Sequence, residues 1–374
     1  MNLESPRRSL TILHTESSLG WGGQERRILA EAEAMQRRGH RLLLACDPRG
    51  ELYRRAPLRG FSPVPLACGG IRNLGAWWRL RRLLREQPID ILNTHSSLDS
   101  WIGALAWRSL KDRAHLVRTR HLSTRVKSNS PTRWLYRAPE AVITTGEVTR
   151  DLLSQHLGVP ENRLFSIPTG VSLEEFSPRQ KSASLLARLQ IPPGAFVFGT
   201  VAVLRSWKGH LYVLEALQEL VRGGQTAYFL IVGEGPYRVV IEAKVRELNL
   251  SNWVRFAGYQ DDVAPWFALM DAVVLASYAN EGVPQSLLQA MGMGQAVVGT
   301  TVGGIPEVVI EGETGLLAPP RDGAALGRAL RLLRDDEGHR RELGRRGREL
   351  VAERFSIEQM AAAVEAVYEA VASK

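Results

Sequence analysis

The stretch that decides the fold is YANEGVPQSLLQAMGMGQAVV, residues 278–298. It overlaps the end of the apolar run DAVVLASY, and Glu281, Gly282, Val283 and Pro284 separate that run from the short apolar segment QSLLQAM. Proline in the first turn and an acid just ahead of it are typical of any helix N-terminus, because the helix dipole favours negative charge there. The pattern predicts a buried strand leading into a helix, at the strand edge where open parallel sheets bind ligands.

The same alternation of strand and helix runs through the whole chain. The runs that predict strands are LTILHTE, HRLLLACD, SPVPLAC, IDILNTH, HLVRTRH, AVITTGE and LFSIPTG in the first half, and FVFGTVAVL, AYFLIVGEG, VRFAGY, DAVVLAS, AVVGTTV and TGLLAP in the second. Segments with apolar residues at helical spacing lie between them, such as 25–38, 73–86, 208–222 and 236–249. This order indicates parallel sheets covered by helices on both faces.

A lapse in this alternation divides the chain. Residues 171–194 contain three prolines and no clear period, which favours a crossing between domains. We therefore expect an α/β protein with two doubly wound Rossmann-like domains, 1–175 and 176–355, and a ligand site in the cleft between them. The remaining helical tail, 356–374, is expected to pack back on the first domain.

Composition narrows the class of protein. With 374 residues, 44% of them hydrophobic and 23% charged, the chain is long enough for two ordinary domains. The apolar runs are far shorter than the ~20 residues of a membrane helix, and MNLESPRRSL lacks the apolar core of a secretory leader, so we expect a cytoplasmic protein. Cys46 and Cys68 have no spacing typical of a zinc site or a disulfide framework, which favours reduced, structural thiols.

Positive charge is concentrated in the first half of the chain. The net charge is +9, and residues 1–175 contain 27 Lys and Arg against 17 Asp and Glu, whereas the remainder sums to −1. This asymmetry favours attraction to an anionic partner, either a membrane surface or nucleic acid.

One segment of the first half suits a membrane surface. GAWWRLRRLLREQ, residues 75–87, places Trp77, Leu80 and Leu84 along one helical stripe. The arginines elsewhere around the axis are Arg79, Arg82 and Arg85. A basic amphipathic helix with tryptophans is typical of a contact with anionic lipid, and the alternative is a helix that packs on its sheet with its arginines in water. The charge excess of the first half favours lipid.

Two loops carry residues suited to a phosphate group. The first strand ends in SSLGWGGQE, in which Gly20, Gly22 and Gly23 bring backbone N–H groups close to an anion or simply form a tight turn. Their spacing is not G-x-G-x-x-G, and only Asp47 follows the second strand as a candidate ribose ligand, which disfavours a dinucleotide dehydrogenase.

The second loop follows the first strand of the second half, in GTVAVLRSWKGH. It contains Arg205 and Lys208 at the start of a helix, where cations oppose the helix dipole. Local stability does not favour these residues, whereas a bound diphosphate does. The alternative is a pair of solvated surface cations.

Taken together and in order, the motifs GWGGQE, RSWKG, VGEGP, EGVPQSLLQ, GGIPEVV and GETGLLAP resemble those of the retaining glycosyltransferases of family 4, also called group 1. The resemblance covers almost the full chain. It implies the GT-B fold, a nucleotide-sugar donor bound mainly by the second domain, UDP-linked by preference, and neither a cofactor nor a catalytic metal. In keeping with the last point, no D-x-D pattern follows a strand, and Asp261 and Asp262 predict a helix start.

The resemblance also implies roles for single residues. Arg205 and Lys208 would hold the diphosphate and offset the charge that develops on the leaving nucleotide. Glu281 would face the hydroxyls of the donor sugar, and His121 would position sugar and acceptor near the reacting carbon. These four form the expected catalytic set, while His95 has a structural histidine as its alternative. The further residues expected to contact the sugar donor are Gly22, Gly23, Gly258, Gly282, Val283 and Gln289.

One position departs from the family pattern. The family has a second glutamate eight residues after the first, where it accepts hydrogen bonds from the ribose, and here that position is Gln289. A glutamine carbonyl still accepts hydrogen bonds, but without charge assistance the contact is weaker.

We therefore expect a retaining, metal-independent glycosyltransferase, peripheral on the inner face of the cytoplasmic membrane. Its acceptor would be a hydroxyl of a lipid-linked or anionic surface glycan, as in lipopolysaccharide or polysaccharide assembly. One alternative is a nucleotide-sugar epimerase of the same fold, which needs no acceptor. The other is a basic nucleic-acid-binding protein, although no helix-turn-helix or aromatic RNA motif supports it. The sequence does not specify the sugar, the acceptor, the linkage or the oligomeric state.

Overall fold

The chain forms two compact units in a computed structural model that describes residues 8–111, 114–124, 126–224, 226–279 and 281–374. The start of MNLESPRRSL, on which the expectation of no leader partly rests, lies outside these residues. The first unit runs to Gly170 and is completed by Ile357–Lys374, and the second is Val171–Ser356. Residues 171–194, expected to be the crossing, belong to the second unit.

The first unit is built on a parallel sheet. Its described residues form seven strands: β1 Thr11–Glu16, β2 Arg41–Cys46, β3 Val64–Pro65, β4 Ile91–Thr94, β5 His115–Arg120, β6 Ala141–Thr144 and β7 Leu164–Ser166. The helices are α1 Gly23–Arg37, α2 Glu51–Arg55, α3 Arg72–Glu86, α4 Ser97–Arg108, α5 Ser130–Arg137, α6 Glu147–Leu157 and, from the end of the chain, α14 Ile357–Ala372. The strand order is β3-β2-β1-β4-β5-β6-β7. The order reverses between β1 and β4, whose carboxyl ends therefore form a crevice of the kind that binds ligands.

The last helix belongs to the first unit. Val364 of α14 packs into the core beside β1, β5 and β6. The carboxylate of Glu365 accepts hydrogen bonds from Arg38 Nε at 2.8 Å and pairs with His40 Nε2 at 2.9 Å. The end of the chain is thus tied to the connection between α1 and β2.

The second unit repeats this architecture with six described strands: β8 Phe196–Val201, β9 Ala227–Val232, β10 Val254–Gly258, β11 Ala272–Leu275, β12 Ala296–Thr300 and β13 Leu316–Ala318. Its helices are α7 Ala183–Arg188, α8 His210–Arg222, α9 Arg238–Glu247, α10 Ala264–Phe267, α11 Gln285–Gly292, α12 Gly323–Asp335 and α13 Glu337–Arg354. The order β10-β9-β8-β11-β12-β13 reverses between β8 and β11, which are paired in parallel. A second crevice lies at the carboxyl ends of these two strands.

The apolar runs in the sequence mark the strands well, because strands covered on both faces bury every side chain. All six residues of β9, for example, are buried. The run SPVPLAC yields only Val64–Pro65, and β3 lies at the sheet edge, where a proline without an N–H is tolerated. No helix in the described ranges has both the length and the hydrophobicity of a membrane span.

Candidate functional site

The crevice between β8 and β11 brings two of the predicted site residues together. Lys208 ends a short 3₁₀ turn after β8, and Glu281 follows β11. The Lys208 Nζ atom lies 2.8 Å from Glu281 Oε1 and 2.9 Å from Oε2. Side-chain exposure is 18% for Lys208 and 8% for Glu281, so this ion pair is well shielded from water. The strands are neighbours although the residues are 73 positions apart, which is why sequence alone did not predict the contact.

A third group fixes the carboxylate of Glu281. Ser277 Oγ donates to Glu281 Oε2 at 2.6 Å, and the carbonyl oxygen of Ser277 accepts from Thr300 Oγ1 at 2.5 Å. The residue before α11 is Pro284, and no side chain caps this helix end. Glu281 is therefore not the ordinary N-terminal acid that its position in the sequence allows. Its carboxylate is held by Lys208 and Ser277.

Glycines of the motifs RSWKG and GGIPEVV let the loops of this crevice pack closely against one another. Gly209 has φ +73°, and a Cβ there would clash with the carbonyl oxygen of Ala276. Gly303, at φ +56°, lies against the carbonyl oxygen of Glu281, which also accepts a hydrogen bond from Gly304 N at 3.2 Å. Any side chain at these glycines would separate the loops that position Lys208 and Glu281.

The other predicted residues of the second unit lie in the loop after β8, at the end of β10 and on α11. Arg205 is exposed, and its guanidinium carbon lies 5.8 Å from the ring centre of Trp207. Gln289 lies on α11, two turns beyond Glu281, and is half-buried. Gly258, at φ +71°, accepts a hydrogen bond from Gly233 N at 2.8 Å.

Gly282 and Val283 form the link between Glu281 and α11. Both residues are half-buried. A Cβ on Gly304 would clash with the Val283 nitrogen and the Gly282 carbonyl, so this backbone is closely covered. The roles of Arg205, Gln289, Gly258, Gly282 and Val283 toward a ligand stay predictions.

In the first unit, the glycine-rich loop after β1 leads into α1. The helix begins at Gly23, and Gly22 N donates to Glu25 Oε2 at 2.7 Å. Of the three glycines expected to bring N–H groups to an anion, Gly22 thus already donates to a carboxylate of its own helix, and Gly20 N donates to Ser18 Oγ at 3.2 Å. The carboxylate of the buried Glu16 also fixes this loop, because its Oε1 accepts a hydrogen bond from Ser18 N at 2.6 Å.

His121 is the outer member of a row of three histidines at the carboxyl edge of the first sheet. His121 Nε2 lies 2.9 Å from His95 Nδ1, and His95 Nε2 lies 2.8 Å from His14 Nδ1. The ring centres lie 5.2 and 5.1 Å apart, and the ring planes are inclined by 27° in each pair, so the rings follow one another end to end. Burial lowers the pKa of all three imidazoles, most strongly for His95 and His121. His14, a strand residue within an apolar run, was not recognised from the sequence.

Asp47 does not offer a free carboxylate to a ribose. Its oxygens accept from Arg49 N at 3.0 Å, Arg49 Nε at 2.9 Å and Cys68 N at 2.9 Å. These contacts lower the pKa of Asp47 to about 2, mainly through Arg49. The residue is a structural anchor for the loop after β2, which removes the single feature in favour of a dinucleotide dehydrogenase.

Two further expectations concern thiols and metals. Cys46 and Cys68 are free and buried, and burial raises the pKa of each thiol to about 12. Such thiols are unreactive and structural. Among the described residues, no group of three or more His, Cys, Asp or Glu is placed to hold a metal ion. Metal independence stays a prediction.

Comparison with known proteins identifies both units. A model described as glycosyltransferase family 4 matches residues 21–175, and one described as glycosyl transferases group 1 matches residues 195–336. The chain is 29% identical over 299 residues to N-acetyl-alpha-D-glucosaminyl L-malate synthase from Bacillus anthracis, covering 78% of this chain and 77% of the relative. It is 26% identical over 320 residues to UDP-Gal:alpha-D-GlcNAc-diphosphoundecaprenol alpha-1,3-galactosyltransferase from Escherichia coli, covering 81% and 82%.

The fold has a close counterpart among solved structures. HepE from Anabaena, solved in complex with UDP-glucose, matches with a TM-score of 0.82 at 20% identity and covers 98% of this chain and 100% of its own. At that identity the likeness concerns the fold alone. It confirms the predicted GT-B architecture of two Rossmann-like domains.

Proposed function

This chain belongs to the group 1 glycosyltransferases, and from that premise we propose that it transfers a sugar from a UDP-linked donor to a hydroxyl of a lipid-linked or anionic glycan. We further propose that the transfer retains the anomeric configuration and needs no metal ion. The observation that carries the proposal is the shielded pair of Lys208 and Glu281 at the strand reversal of the second unit, with Arg205 three residues before Lys208 in the same loop.

The chemistry of transfer matches these side chains. The bond between the anomeric carbon and the diphosphate oxygen breaks, a bond to the acceptor oxygen forms, and negative charge develops on the departing diphosphate. Arg205 and Lys208 supply cations at a strand end, where they stabilise that charge without reorganisation. This is the electrostatic task that a metal ion performs in other transferases.

Glu281 has two tasks in this account. In the structure its carboxylate holds the Lys208 ammonium in place with two contacts. An ammonium has three protons to donate, so Lys208 can contact a diphosphate oxygen while it stays paired with Glu281. The carboxylate is then positioned to accept hydrogen bonds from hydroxyls of the donor sugar.

The relatives support the choice of donor and acceptor. HepE was solved with UDP-glucose, and the name of the Escherichia coli relative describes a UDP-galactose donor and a diphosphoundecaprenol-linked acceptor. A polyprenyl diphosphate acceptor is anionic and membrane-bound, which suits a first half with a net charge of +10. The name of the Bacillus anthracis relative instead describes L-malate as part of its product, so a small hydroxy acid is the second candidate acceptor.

A surface of α3 supports a peripheral position on an anionic membrane. We define the α3 patch as the following exposed side chains of α3, together with Ile71, which immediately precedes the helix: Leu74, Trp78, Arg79, Arg82 and Arg85. Ile71 is 95% exposed, Leu74 64% and Trp78 56%, whereas Leu80 and Leu84 on the opposite face are buried. Exposed apolar residues beside arginines are what a helix lying at an anionic lipid interface presents. We propose the inner face of the cytoplasmic membrane as its location.

Product analysis tests this proposal. Purified protein is incubated with UDP-glucose, UDP-galactose or UDP-N-acetylglucosamine, together with a polyprenyl-diphosphate-linked sugar or L-malate. We expect UDP release that depends on the acceptor, and an α-linked product whose anomeric configuration equals that of the sugar donor. A product of inverted configuration contradicts the retaining mechanism. Conversion of the nucleotide sugar without any acceptor would instead indicate an epimerase.

A further inference from the structure

The three histidines of the first unit form a continuous row with one open end. His14 is 1% exposed and His95 3%, whereas His121 is partly exposed. His121 Nδ1 has no protein partner among the described residues, and it is not one of their buried, unpartnered nitrogens. This nitrogen is therefore the one through which the row meets solvent or a ligand.

Hydrogen bonds between neutral imidazoles impose a single direction along the row. A neutral imidazole has one N–H and one lone pair, so each contact needs a donor on one ring and an acceptor on the next. Burial lowers the pKa of each ring, which keeps the rings neutral near neutral pH. Either all three protons are on Nδ1, or all three are on Nε2. The two arrangements leave opposite groups at His121 Nδ1.

Glu31 lies at the buried end of the row and selects between these arrangements. Its Oε1 atom lies 4.0 Å from His14 Nε2, too far for a hydrogen bond but near enough for a strong electrostatic interaction. An N–H at His14 Nε2 is attracted by the carboxylate, whereas a lone pair there is repelled. Water does not screen this electrostatic interaction, because both side chains are at most 1% exposed.

The position of Glu31 is itself fixed. Tyr368 OH, from α14, donates to Glu31 Oε1 at 2.7 Å and accepts from Asn93 Nδ2 at 2.7 Å. The buried guanidinium of Arg27 has its Nε 3.7 Å from Glu31 Oε2. The guanidinium of Arg27 keeps its charge when buried, and a buried cation needs an anion close by. The carboxylate of Glu31 is that anion.

We propose that Glu31, acting through His14 and His95, fixes His121 in the Nε2–H tautomer, so that His121 Nδ1 accepts a hydrogen bond from a substrate hydroxyl. This proposal rests on the function proposed above and makes His14 and His95 positioning residues of that site. In the opposite tautomer His121 would present an N–H, and the same hydroxyl would have to turn its lone pair toward the ring. The row therefore sets the orientation of a hydroxyl next to the reacting carbon.

The tautomer is measurable without substrate. In the full chain labelled with ¹⁵N-histidine, long-range ¹H–¹⁵N correlations distinguish a ring protonated at Nε2 from one protonated at Nδ1, and single histidine variants assign the signals. We expect the Nε2–H form for His95 and His121. A pure Nδ1–H form of His121 overturns the proposal, whether or not the protein is an active transferase.

Three variants connect the tautomer to turnover. His14→Leu removes the acceptor for the His95 N–H, so we expect mixed tautomers at His121 and a three- to tenfold lower kcat with little change in the KM of the sugar donor. His14→Asn keeps an acceptor and should restore both readouts. His40→Asn alters another buried histidine of the same unit, whose partner is Glu365, and should leave the His121 tautomer and kcat unchanged.

The outcomes separate the proposal from its premise. If His14→Leu leaves both the His121 tautomer and kcat unchanged, the row does not position His121. If His14→Leu fails to fold, the wild-type spectrum and His14→Asn still decide the direction of the row. A wild type that shows the Nε2–H form but transfers no sugar refutes the proposed function and not the hydrogen-bond direction.

Discussion

Among single residues, Glu281 is the one whose buried carboxylate most needs a physical explanation. A buried carboxylate close to a diphosphate is unfavourable unless a cation neutralises it. Lys208 supplies that cation through contacts with both carboxylate oxygens, and Ser277 supplies a neutral donor. Without Lys208, the carboxylate of Glu281 would repel the diphosphate of a sugar donor, whereas the pair of side chains is neutral. This charge balance predicts which measured quantity each substitution changes.

Glu281→Gln should reduce turnover more than nucleotide affinity, because it removes the charge that holds Lys208 and that, in the proposed site, faces the donor sugar. Gln289→Glu should leave UDP binding unchanged or tighten it, because it adds a charge-assisted acceptor for the ribose hydroxyls. Titration calorimetry with UDP and steady-state kinetics on both variants give the comparison. If Gln289→Glu abolishes UDP binding while Glu281→Gln turns over normally, the family's geometry does not apply to α11.

Asp47 should stabilise the first unit and contribute nothing to catalysis. Its pKa of about 2 lies below the ordinary value of 3.8, so its contribution is fully present above pH 4 and is lost as the pH falls toward 2. Asp47→Asn should lower the free energy of unfolding by about 1–3 kcal/mol at pH 7, and less at pH 3. Urea unfolding at the two pH values measures this, with the 54% exposed Asp151 changed to Asn as the control. A pH-independent difference would contradict the role of the Arg49 contact.

At the scale of elements, α3 combines a buried and an exposed function. Its inner face packs Ala76, Leu80 and Leu84 into the core of the first unit, so the helix needs no membrane to be stable. Its outer face carries the α3 patch, in which Arg82 and Arg85 are 73% and 61% exposed. The stripe of Trp77, Leu80 and Leu84, from which the sequence predicted a lipid contact, packs against the core, so that prediction was wrong for this face. Contact with lipid stays a prediction for the opposite face.

Changing Arg79, Arg82 and Arg85 together to Gln should weaken binding to vesicles that contain anionic lipid by at least tenfold, because each cation near such a surface contributes ~1 kcal/mol. Binding should also weaken with salt and be absent on neutral vesicles. Vesicle co-sedimentation measures both effects. A matched triple change on α13, at Arg341, Arg345 and Arg346, removes the same charge from the second unit. Equal losses in both triple variants would mean that net charge, and not the α3 patch, determines binding.

The elements were more predictable than their contacts. Strands such as β9 and β11 follow from continuous apolar runs, since both of their faces are covered. The pairing of Lys208 with Glu281 requires knowing that β8 lies next to β11, and the row from His14 to His121 requires that β1, β4 and β5 are neighbours. Sequence periodicity carries no information on strand order, so these contacts could not be derived from it.

For the whole molecule, we propose that side-chain cations stabilise the charge on the diphosphate, which a metal ion does in other transferases. Transfer should therefore be unaffected by EDTA, because Arg205 and Lys208 neutralise the diphosphate themselves. The measurement is the initial rate of UDP release with and without EDTA, followed by addition of Mg²⁺ or Mn²⁺. Loss of activity with EDTA and recovery with either metal would refute metal independence while leaving the sugar-donor site in place.

Binding of UDP is the most direct test of the central claim that the second unit holds a nucleotide-sugar donor around Arg205, Lys208 and Glu281. Titration calorimetry compares the wild type with the double variant Arg205→Ala/Lys208→Ala and with Arg328→Ala/Arg331→Ala, which removes two exposed cations from α12 of the same unit. We expect the first double variant to raise the Kd for UDP by about a hundredfold or more, because two charge-assisted contacts contribute roughly 1.5–3 kcal/mol each. We expect the second double variant to bind UDP like the wild type. Wild-type affinity in the Arg205/Lys208 variant, or no binding of UDP to the wild type, would contradict the account.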